Sequence, residues 1–313
     1  MTGESNTQTA SDIRHGDWID RRAPAAIQPY LRLARVDRPI GTWLLLIPCW
    51  WGLALATASV LGPDPMDALL YAVLFAIGAF VMRGAGCTWN DILDRDFDAR
   101  VARTAERPIP SGAVSLWQAY AFLGLQLLIG LGVLLFFNGF TILLAISSLL
   151  LVALYPLMKR ITYWPQAFLG LTFNWGALVG WAAVTADLQT PPLLLYAAAV
   201  FWTVGYDTIY AHQDKEDDIL IGVKSSAIRL GERTKPWLWV FYGIAILLLA
   251  ASFWQAHLRW PSFALLALAG VLLARQIVAV DLSDPKDCME KFRSNRFAGY
   301  VILGAILAGG SYG

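Results

Sequence analysis

Two acidic segments contain the residues best suited to chemistry, and the first is NDILDRDFD at positions 90–98. Four of its polar residues share an arc of about 100° on an α-helix: Asn90, Asp91, Asp94 and Asp98. Asp96 points to the opposite side. Carboxylates on one stripe repel one another unless a cation lies among them. The first segment therefore predicts a bound cation.

The second segment is YDTIYAHQDKEDD at positions 206–218. Three of its aspartates share a still narrower helical stripe, with a tyrosine beside them: Asp207, Asp214, Asp218 and Tyr210. Each acidic segment follows an apolar run, 68–82 in one case and 193–204 in the other. We therefore predict that both stripes lie at the ends of apolar helices.

The composition indicates a membrane protein. Of the 313 residues, 57% are hydrophobic, whereas soluble domains usually have about 45–50%. A bilayer core requires about 20 apolar residues in a helix that satisfies its own backbone groups. Nine runs approach this length: about 40–60, 67–89, 114–136, 139–157, 163–184, 191–212, 237–254, 259–280 and 296–312. The sequence thus predicts an all-α protein with nine transmembrane helices.

The basic residues predict the orientation of these helices. All but one of the 24 lysines and arginines fall before the first run or in the even-to-odd connections and the run ends beside them, counted from Arg83 and from Arg275, and the exception is Arg259. The positive-inside rule then places the N-terminus and both acidic segments in the cytoplasm. The net charge of +1 gives no reason to expect a nucleic-acid partner.

Residues 1–26 are polar, of mixed charge, and lack the apolar stretch of a secretory signal. Their acidic residues also argue against a mitochondrial transit peptide. We predict a disordered tail over 1–26, a transmembrane domain over 27–313, and a location in a bacterial inner membrane.

A basic, polar loop follows each acidic segment, at 100–112 and near Lys224. We expect these two loops to cap the acidic sites and to bring Arg103, Arg107 and Lys224 to phosphate oxygens. Arg83, two helical turns before Asn90, is a further candidate for an anionic group. Each of these residues also has an ordinary explanation, as part of a solvated loop or as a side chain that snorkels to the interface.

Carboxylates and basic residues together predict a diphosphate bound through Mg²⁺, which combines a few carboxylates with water and phosphate oxygens. The metal would draw charge off the leaving oxygen. In a membrane, the substrate would then be a lipid diphosphate. If its C–O bond breaks, an allylic isoprenoid tolerates the resulting charge, and aromatic side chains can face it. Most of the aromatic residues are equally explained by packing and by interface belts.

The two acidic motifs resemble those of the UbiA superfamily of intramembrane prenyltransferases: Asn90-Asp91-x-x-Asp94-x-x-x-Asp98 and Asp207-x-x-Tyr210-Ala211-x-x-Asp214-x-x-x-Asp218. Shorter motifs are similar to its 4-hydroxybenzoate polyprenyltransferase branch: Asp37-Arg38-Pro39-Ile40-Gly41, Met82-Arg83-x-Ala85-Gly86-Cys87, Arg103-Thr104-x-x-Arg107-Pro108-x-Pro110-Ser111-Gly112, Tyr155-Pro156-x-x-Lys159-Arg160 and Gly222-x-Lys224-Ser225. The resemblance covers nearly all of 30–312. It implies helices around a central cavity, Mg²⁺ dependence, and transfer of a polyprenyl chain from polyprenyl diphosphate to 4-hydroxybenzoate, ortho to the phenol, in ubiquinone synthesis.

The resemblance also implies a role for each site residue. Two sets would hold metal: Asn90, Asp94 and Asp98, supported by Asp91, and Asp214 with Asp218. Basic residues would bind the substrates: Arg83, Lys224, Arg103 and Arg107 at the diphosphate, Lys159 and Arg38 elsewhere, and Arg160 at the acceptor carboxylate. Asp207 and Tyr210 would face the aromatic acceptor.

Two alternatives remain at this point. The acceptor of a related enzyme could be homogentisate, dihydroxynaphthoate or haem. An ion-coupled transporter with two inverted halves is a different class, but its carboxylates usually lie near the middle of the bilayer at broken helices. Here the carboxylates lie at helix ends beside basic loops, and the two halves share one orientation.

Overall fold

The computed structural model describes residue 13, residues 15–59 and residues 65–310. Within these residues the regular structure is helical, which confirms the predicted all-α class. The α-helices are α1 (Trp18–Arg22), α2 (Gln28–Leu33), α3 (Ile40–Ser59), α4 (Pro65–Asp98), α5 (Leu116–Leu134), α6 (Gly139–Ile161), α7 (Pro165–Phe173), α8 (Trp175–Thr185), α9 (Thr190–Ala211), α10 (Lys215–Ile221), α11 (Ser226–Leu230), α12 (Thr234–Gln255), α13 (Trp260–Ala279) and α14 (Pro285–Ala308). Two short 3₁₀ turns lie at His212–Asp214 and Gly231–Arg233.

Eight segments of the described chain are long and apolar enough to cross a membrane: 40–59, 66–98, 116–134, 139–161, 165–185, 190–214, 226–255 and 260–279. α14 is not among them, because its first half, PKDCMEKFRSNR, is rich in charge. The predicted count of nine, the central cavity and the cap loops stay predictions.

The chain forms two compact units. The first comprises residues 1–39 and 80–132, and therefore contains α1, α2, the second half of α4 and most of α5. Its small apolar core joins α2, α4, the following loop and α5: Leu33, Ile92, Val114 and Ala119. This core holds the first acidic segment beside the chain that precedes α3.

Part of the segment 1–26 is helical. The side chain of Asp17 caps α1 by accepting hydrogen bonds from the backbone N–H groups of Ile19 and Asp20. Ile19 is fully buried, and Arg32 of α2 forms an ion pair with Asp20. This helix contrasts with the disorder predicted for the segment. Residues 1–12 and 14 lie outside the described residues, and the domain boundary at residue 27 stays a prediction.

The second unit comprises residues 40–79 and 133–313. Its main core is formed by α3, α8, α9, α12, α13 and α14. Two buried tryptophans tie α14 into this core: Trp51 donates a hydrogen bond to the carbonyl of Gly299 (2.9 Å), and Trp202 donates one to Oδ1 of Asn295 (3.0 Å). α14 is thus anchored through groups that an apolar core would otherwise leave unpaired.

Helices α3 and α8 cross with their backbones in contact. A Cβ atom on Gly52 would lie 2.0 Å from the carbonyl oxygen of Ala177. A Cβ atom on Gly180 would lie 2.2 Å from the carbonyl oxygen of Cys49. Small residues commonly permit such close crossings in membrane proteins.

Replacing Gly180 with alanine should therefore destabilise the second unit by about 1–3 kcal/mol, because the new methyl group meets backbone that has no room to shift. The thermal midpoint in detergent measures this loss. Gly243→Ala is the matched control: Gly243 is exposed, and a Cβ there would meet nothing within 4 Å. Equal midpoints for the two variants would contradict the close crossing.

Candidate functional site

The first acidic segment forms the last two turns of α4, and its stripe is the buried face of the helix. Asp91 and Asp94 are each 1% exposed and Asp98 is 8% exposed. The side chain of Asp96 is 72% exposed, in agreement with the opposite side predicted for it. Helical periodicity therefore identified the correct face.

Two arginines lie among these buried carboxylates. Nη2 of Arg35 donates to both carboxylate oxygens of Asp91, at 2.9 and 3.0 Å. Nη1 of Arg107 donates to Oδ2 of Asp98 at 2.8 Å and approaches Oδ1 of Asp91 at 3.4 Å. Part of the positive charge that the stripe requires is thus supplied by guanidinium groups, whose planar donors suit carboxylates.

Local backbone geometry brings both arginines to the stripe. Arg35 follows α2 in the left-handed region, with φ of 55°. The loop after α4 folds back because Oγ1 of Thr104 donates to the carbonyl of Asp98 (2.9 Å) and the N–H of Val114 donates to the carbonyl of Pro108 (2.8 Å). The sequence predicted Arg107 at a diphosphate and did not predict the pairing of Arg35 with Asp91. Arg35 lies 56 residues from Asp91, and its basic, amphipathic surroundings were the only available signal.

Three other basic residues assigned to substrate lie in the first unit. Arg83 donates to Sγ of Cys87, one turn further along α4, at 2.7 Å. Arg38 donates from Nε to Oδ2 of Asp37 at 3.1 Å. Arg103 is partly buried in the loop after α4. Their roles toward the substrates stay predictions.

The second acidic segment is not one continuous α-helix, so its stripe is wider than regular α-helical periodicity predicts. α9 ends at Ala211, the 3₁₀ turn covers His212–Asp214, and α10 begins at Lys215. A 3₁₀ turn advances about 120° per residue, so three residues rotate Asp214 and the following Asp218 by roughly 60° from the predicted positions. A tertiary hydrogen bond holds this turn, since Nε2 of His212 lies 2.9 Å from Oγ1 of Thr234 at the start of α12.

Asp207 and Tyr210 lie on α9 beside an aromatic cluster of the second unit. The ring of Tyr210 lies 4.6 Å from that of Phe292 on α14. Tyr206 contacts Phe292 (5.7 Å) and Trp202 (5.0 Å). All four candidate residues of the segment are partly buried: Asp207, Tyr210, Asp214 and Asp218. Sequence reasoning missed Phe292, which lies in a polar stretch with no motif.

Three predicted substrate-binding residues of the second unit come together at the end of α6. The side-chain ammonium of Lys224 donates to the carbonyl of Ile161 (3.0 Å). The backbone N–H of Lys224 donates to the carbonyl of Lys159 (2.9 Å). The ammonium also lies 5.6 Å from the ring centre of Tyr163. Arg160 is exposed beside them. The structure thus joins two motifs separated by about 60 residues in the sequence.

The donor set of the first segment fits a hard divalent cation. Within the residues that the structure describes, no three Asp, Glu, His or Cys side chains already converge in a metal-binding group. Both oxygens of Asp91 are engaged by Arg35. Asn90, Asp94 and Asp98 therefore supply the candidate ligands, all through oxygen atoms of the kind that Mg²⁺ prefers.

Comparison with known proteins gives one consistent result. The model of the UbiA prenyltransferase family matches residues 45–300. The chain is 50% identical over 301 residues to the mitochondrial 4-hydroxybenzoate polyprenyltransferase of Arabidopsis thaliana, covering 96% of this chain and 73% of the relative. It is 50% identical over 288 residues to the Homo sapiens protein of the same name, covering 92% of this chain and 76% of the relative.

Solved structures agree on the fold. A UbiA homologue from Aeropyrum pernix K1 in its apo form superimposes with a TM-score of 0.70 at 25% identity, covering 85% of this chain and 96% of that protein. A UbiA homologue from Archaeoglobus fulgidus bound to GPP and Mg²⁺ gives a TM-score of 0.59 at 18% identity, covering 88% and 99%.

Proposed function

This chain belongs to the UbiA prenyltransferase family, and we propose that it transfers a polyprenyl group from polyprenyl diphosphate to 4-hydroxybenzoate. The new C–C bond forms ortho to the phenol, and diphosphate leaves, as a step of ubiquinone synthesis. One observation carries the proposal: the 50% identity with enzymes named 4-hydroxybenzoate polyprenyltransferase extends over 288–301 residues.

Mg²⁺ is the proposed cofactor. The buried carboxylates of Asp94 and Asp98 and the partly buried amide of Asn90 support it, as does a UbiA homologue solved with GPP and Mg²⁺. Asp214 and Asp218 form the second candidate pair. When bound, the metal supplies Lewis-acid stabilisation of the leaving diphosphate. Asp91 contributes indirectly, since its ion pair with Arg35 fixes the end of α4.

The remaining basic residues are assigned to the substrates. Arg83, Arg103 and Lys224 bind diphosphate oxygens through charge-assisted hydrogen bonds. Arg107 and Arg38 form ion pairs with Asp98 and Asp37 in this structure, and we assign both of them to substrate binding as well.

Asp207 acts on the acceptor. Its carboxylate accepts the hydrogen bond of the phenol O–H and so raises the electron density of the ring carbon that attacks. The Tyr210 ring packs the acceptor from α9, and Arg160 pairs with the acceptor carboxylate, helped by Lys159. In the overall step the C–O bond to diphosphate breaks, the C–C bond forms, and the ring carbon loses its proton to solvent.

The direct test uses purified protein, Mg²⁺, labelled 4-hydroxybenzoate and a series of polyprenyl diphosphates. We expect a lipid-soluble labelled product and one equivalent of diphosphate. Homogentisate and dihydroxynaphthoate, offered in parallel, should give far less product. Preference for either of them would overturn the acceptor assignment but not the prenyl transfer. The transporter alternative has no support in the family to which the chain belongs.

We propose that the protein crosses a bacterial inner membrane several times, with its N-terminus and active site in the cytoplasm. The spanning helices and the distribution of basic residues support this arrangement. The relatives compared above are named mitochondrial enzymes. What we propose this protein shares with them is a location in a membrane where ubiquinone is made.

Cysteine labelling in intact cells tests the orientation. The native cysteines Cys49, Cys87 and Cys288 are buried and free, and are first replaced by alanine. Gln189→Cys and Ser111→Cys form a matched pair, since both positions are exposed. An impermeant maleimide should label position 189 at once and position 111 only after the membrane is opened. The reverse pattern would contradict the proposed orientation.

A further inference from the structure

A pocket of about 660 Å³ lies on the second unit and takes no part in the proposed reaction. Six side chains line it: Trp164, Arg229, Leu230, Glu232, Arg233 and Trp237. We propose that this pocket binds the phosphate headgroup of an anionic phospholipid. The proposal does not depend on the identity of the prenyl acceptor.

The position of the pocket supports a lipid ligand. Trp164 directly precedes α7, and Trp237 lies in the first turn of α12. α7 begins the spanning segment 165–185, and α12 belongs to the segment 226–255. The single segment 190–214 crosses back between them, so α7 and α12 begin on the same membrane side. α6 ends on that side at Ile161, three residues before Trp164. The pocket therefore lies at the level where tryptophan side chains and lipid headgroups meet.

The charge of the pocket supports an anion. Arg229 and Arg233 are both exposed, and within the described residues neither guanidinium has an ion pair or side-chain hydrogen bond. Glu232 is the single carboxylate of the lining. Two guanidinium groups against one carboxylate leave a net positive pocket. Basic pockets between helices on the cytoplasmic side commonly hold anionic headgroups.

An aromatic wall supplies the apolar part of the site. Trp237 lies 5.7 Å from Phe241, and Trp164 meets the same ring edge-on at 6.2 Å. Trp237 itself is 42% exposed. A soluble phosphate would gain little from these rings, whereas the glycerol and upper acyl carbons of a phospholipid can cover them. The combination therefore favours a lipid over a free anion.

Native mass spectrometry of the delipidated full-length protein, titrated with phosphatidylglycerol or phosphatidylcholine, tests the site. We expect the wild type to retain phosphatidylglycerol preferentially. The double variant R229Q/R233Q should lose about 30-fold in apparent affinity for it. Arg275→Gln is the matched control, since Arg275 is exposed near the end of α13 and lies outside the pocket. It should bind as the wild type does.

A second variant changes affinity in the opposite direction. Glu232→Gln removes the one negative charge and should tighten phosphatidylglycerol binding by about 5-fold. If the double variant does not fold, the change in phosphatidylglycerol affinity of Glu232→Gln still tests the proposed lipid site. Equal retention of phosphatidylcholine, undiminished affinity in R229Q/R233Q, or weaker binding in Glu232→Gln would each overturn the proposal.

Discussion

Asp94→Asn is expected to lower prenyl transfer by more than about 100-fold, whereas Asp96→Asn should leave it close to the wild-type rate. Asp94 is buried on the stripe of α4, and Asp96 is exposed on the opposite side, where Nε of Arg95 lies 3.5 Å from its Oδ1. Loss of groups that merely support a metal ligand typically costs 10–100-fold, so loss of a ligand should cost more. The measurement is turnover of labelled 4-hydroxybenzoate by the purified variants.

The two variants share chemistry, helix and sequence neighbourhood, which makes Asp96→Asn a close control. Asp94→Asn keeps the size and shape of the side chain, so its thermal midpoint should stay close to that of the wild type. Asp214→Asn should repeat the loss of activity. EDTA should stop the wild type, and Mg²⁺ should restore it. Full turnover of Asp94→Asn, or of the wild type in EDTA, would exclude the proposed metal site.

Asp207→Asn should depress prenyl transfer strongly while leaving Mg²⁺-dependent binding of polyprenyl diphosphate nearly intact. The change keeps the size of the side chain and removes the charge that strengthens the hydrogen bond accepted from the phenol O–H. General acid–base groups typically contribute about 10²–10⁴-fold to a rate. The loss should be visible as a fall in kcat with labelled acceptor, and diphosphate binding should be measured separately by calorimetry.

Two comparisons distinguish a role of Asp207 toward the acceptor from a role as a metal ligand. Asp214→Asn should weaken both diphosphate binding and turnover, while Asp207→Asn should affect turnover alone. Raising the pH toward the range in which the phenol ionises by itself should restore part of the rate of Asp207→Asn. If diphosphate binding falls in parallel with turnover, Asp207 belongs to the metal site and the acceptor assignment is wrong.

The sequence alone determined the features that depend on local periodicity. A helix turns by a nearly constant angle per residue, so the spacing of the aspartates identified the buried face of α4 and the exposed position of Asp96. The lengths of the apolar runs predicted the eight spanning segments found among the described residues, because a helix rises by a nearly constant distance per residue. The spacing of the two acidic motifs indicated the family.

The tertiary structure decided which groups meet across long separations. A stripe of carboxylates requires a counter-charge but does not specify its source, and Arg35 reaches Asp91 only because α2 packs against α4. The 3₁₀ turn that ends at Asp214 likewise has a tertiary contact, between His212 and Thr234, which lies 22 residues further along the chain. Phe292 reaches Tyr210 from a helix with no recognisable motif. Local pattern cannot predict these contacts, because each depends on how distant segments share one core.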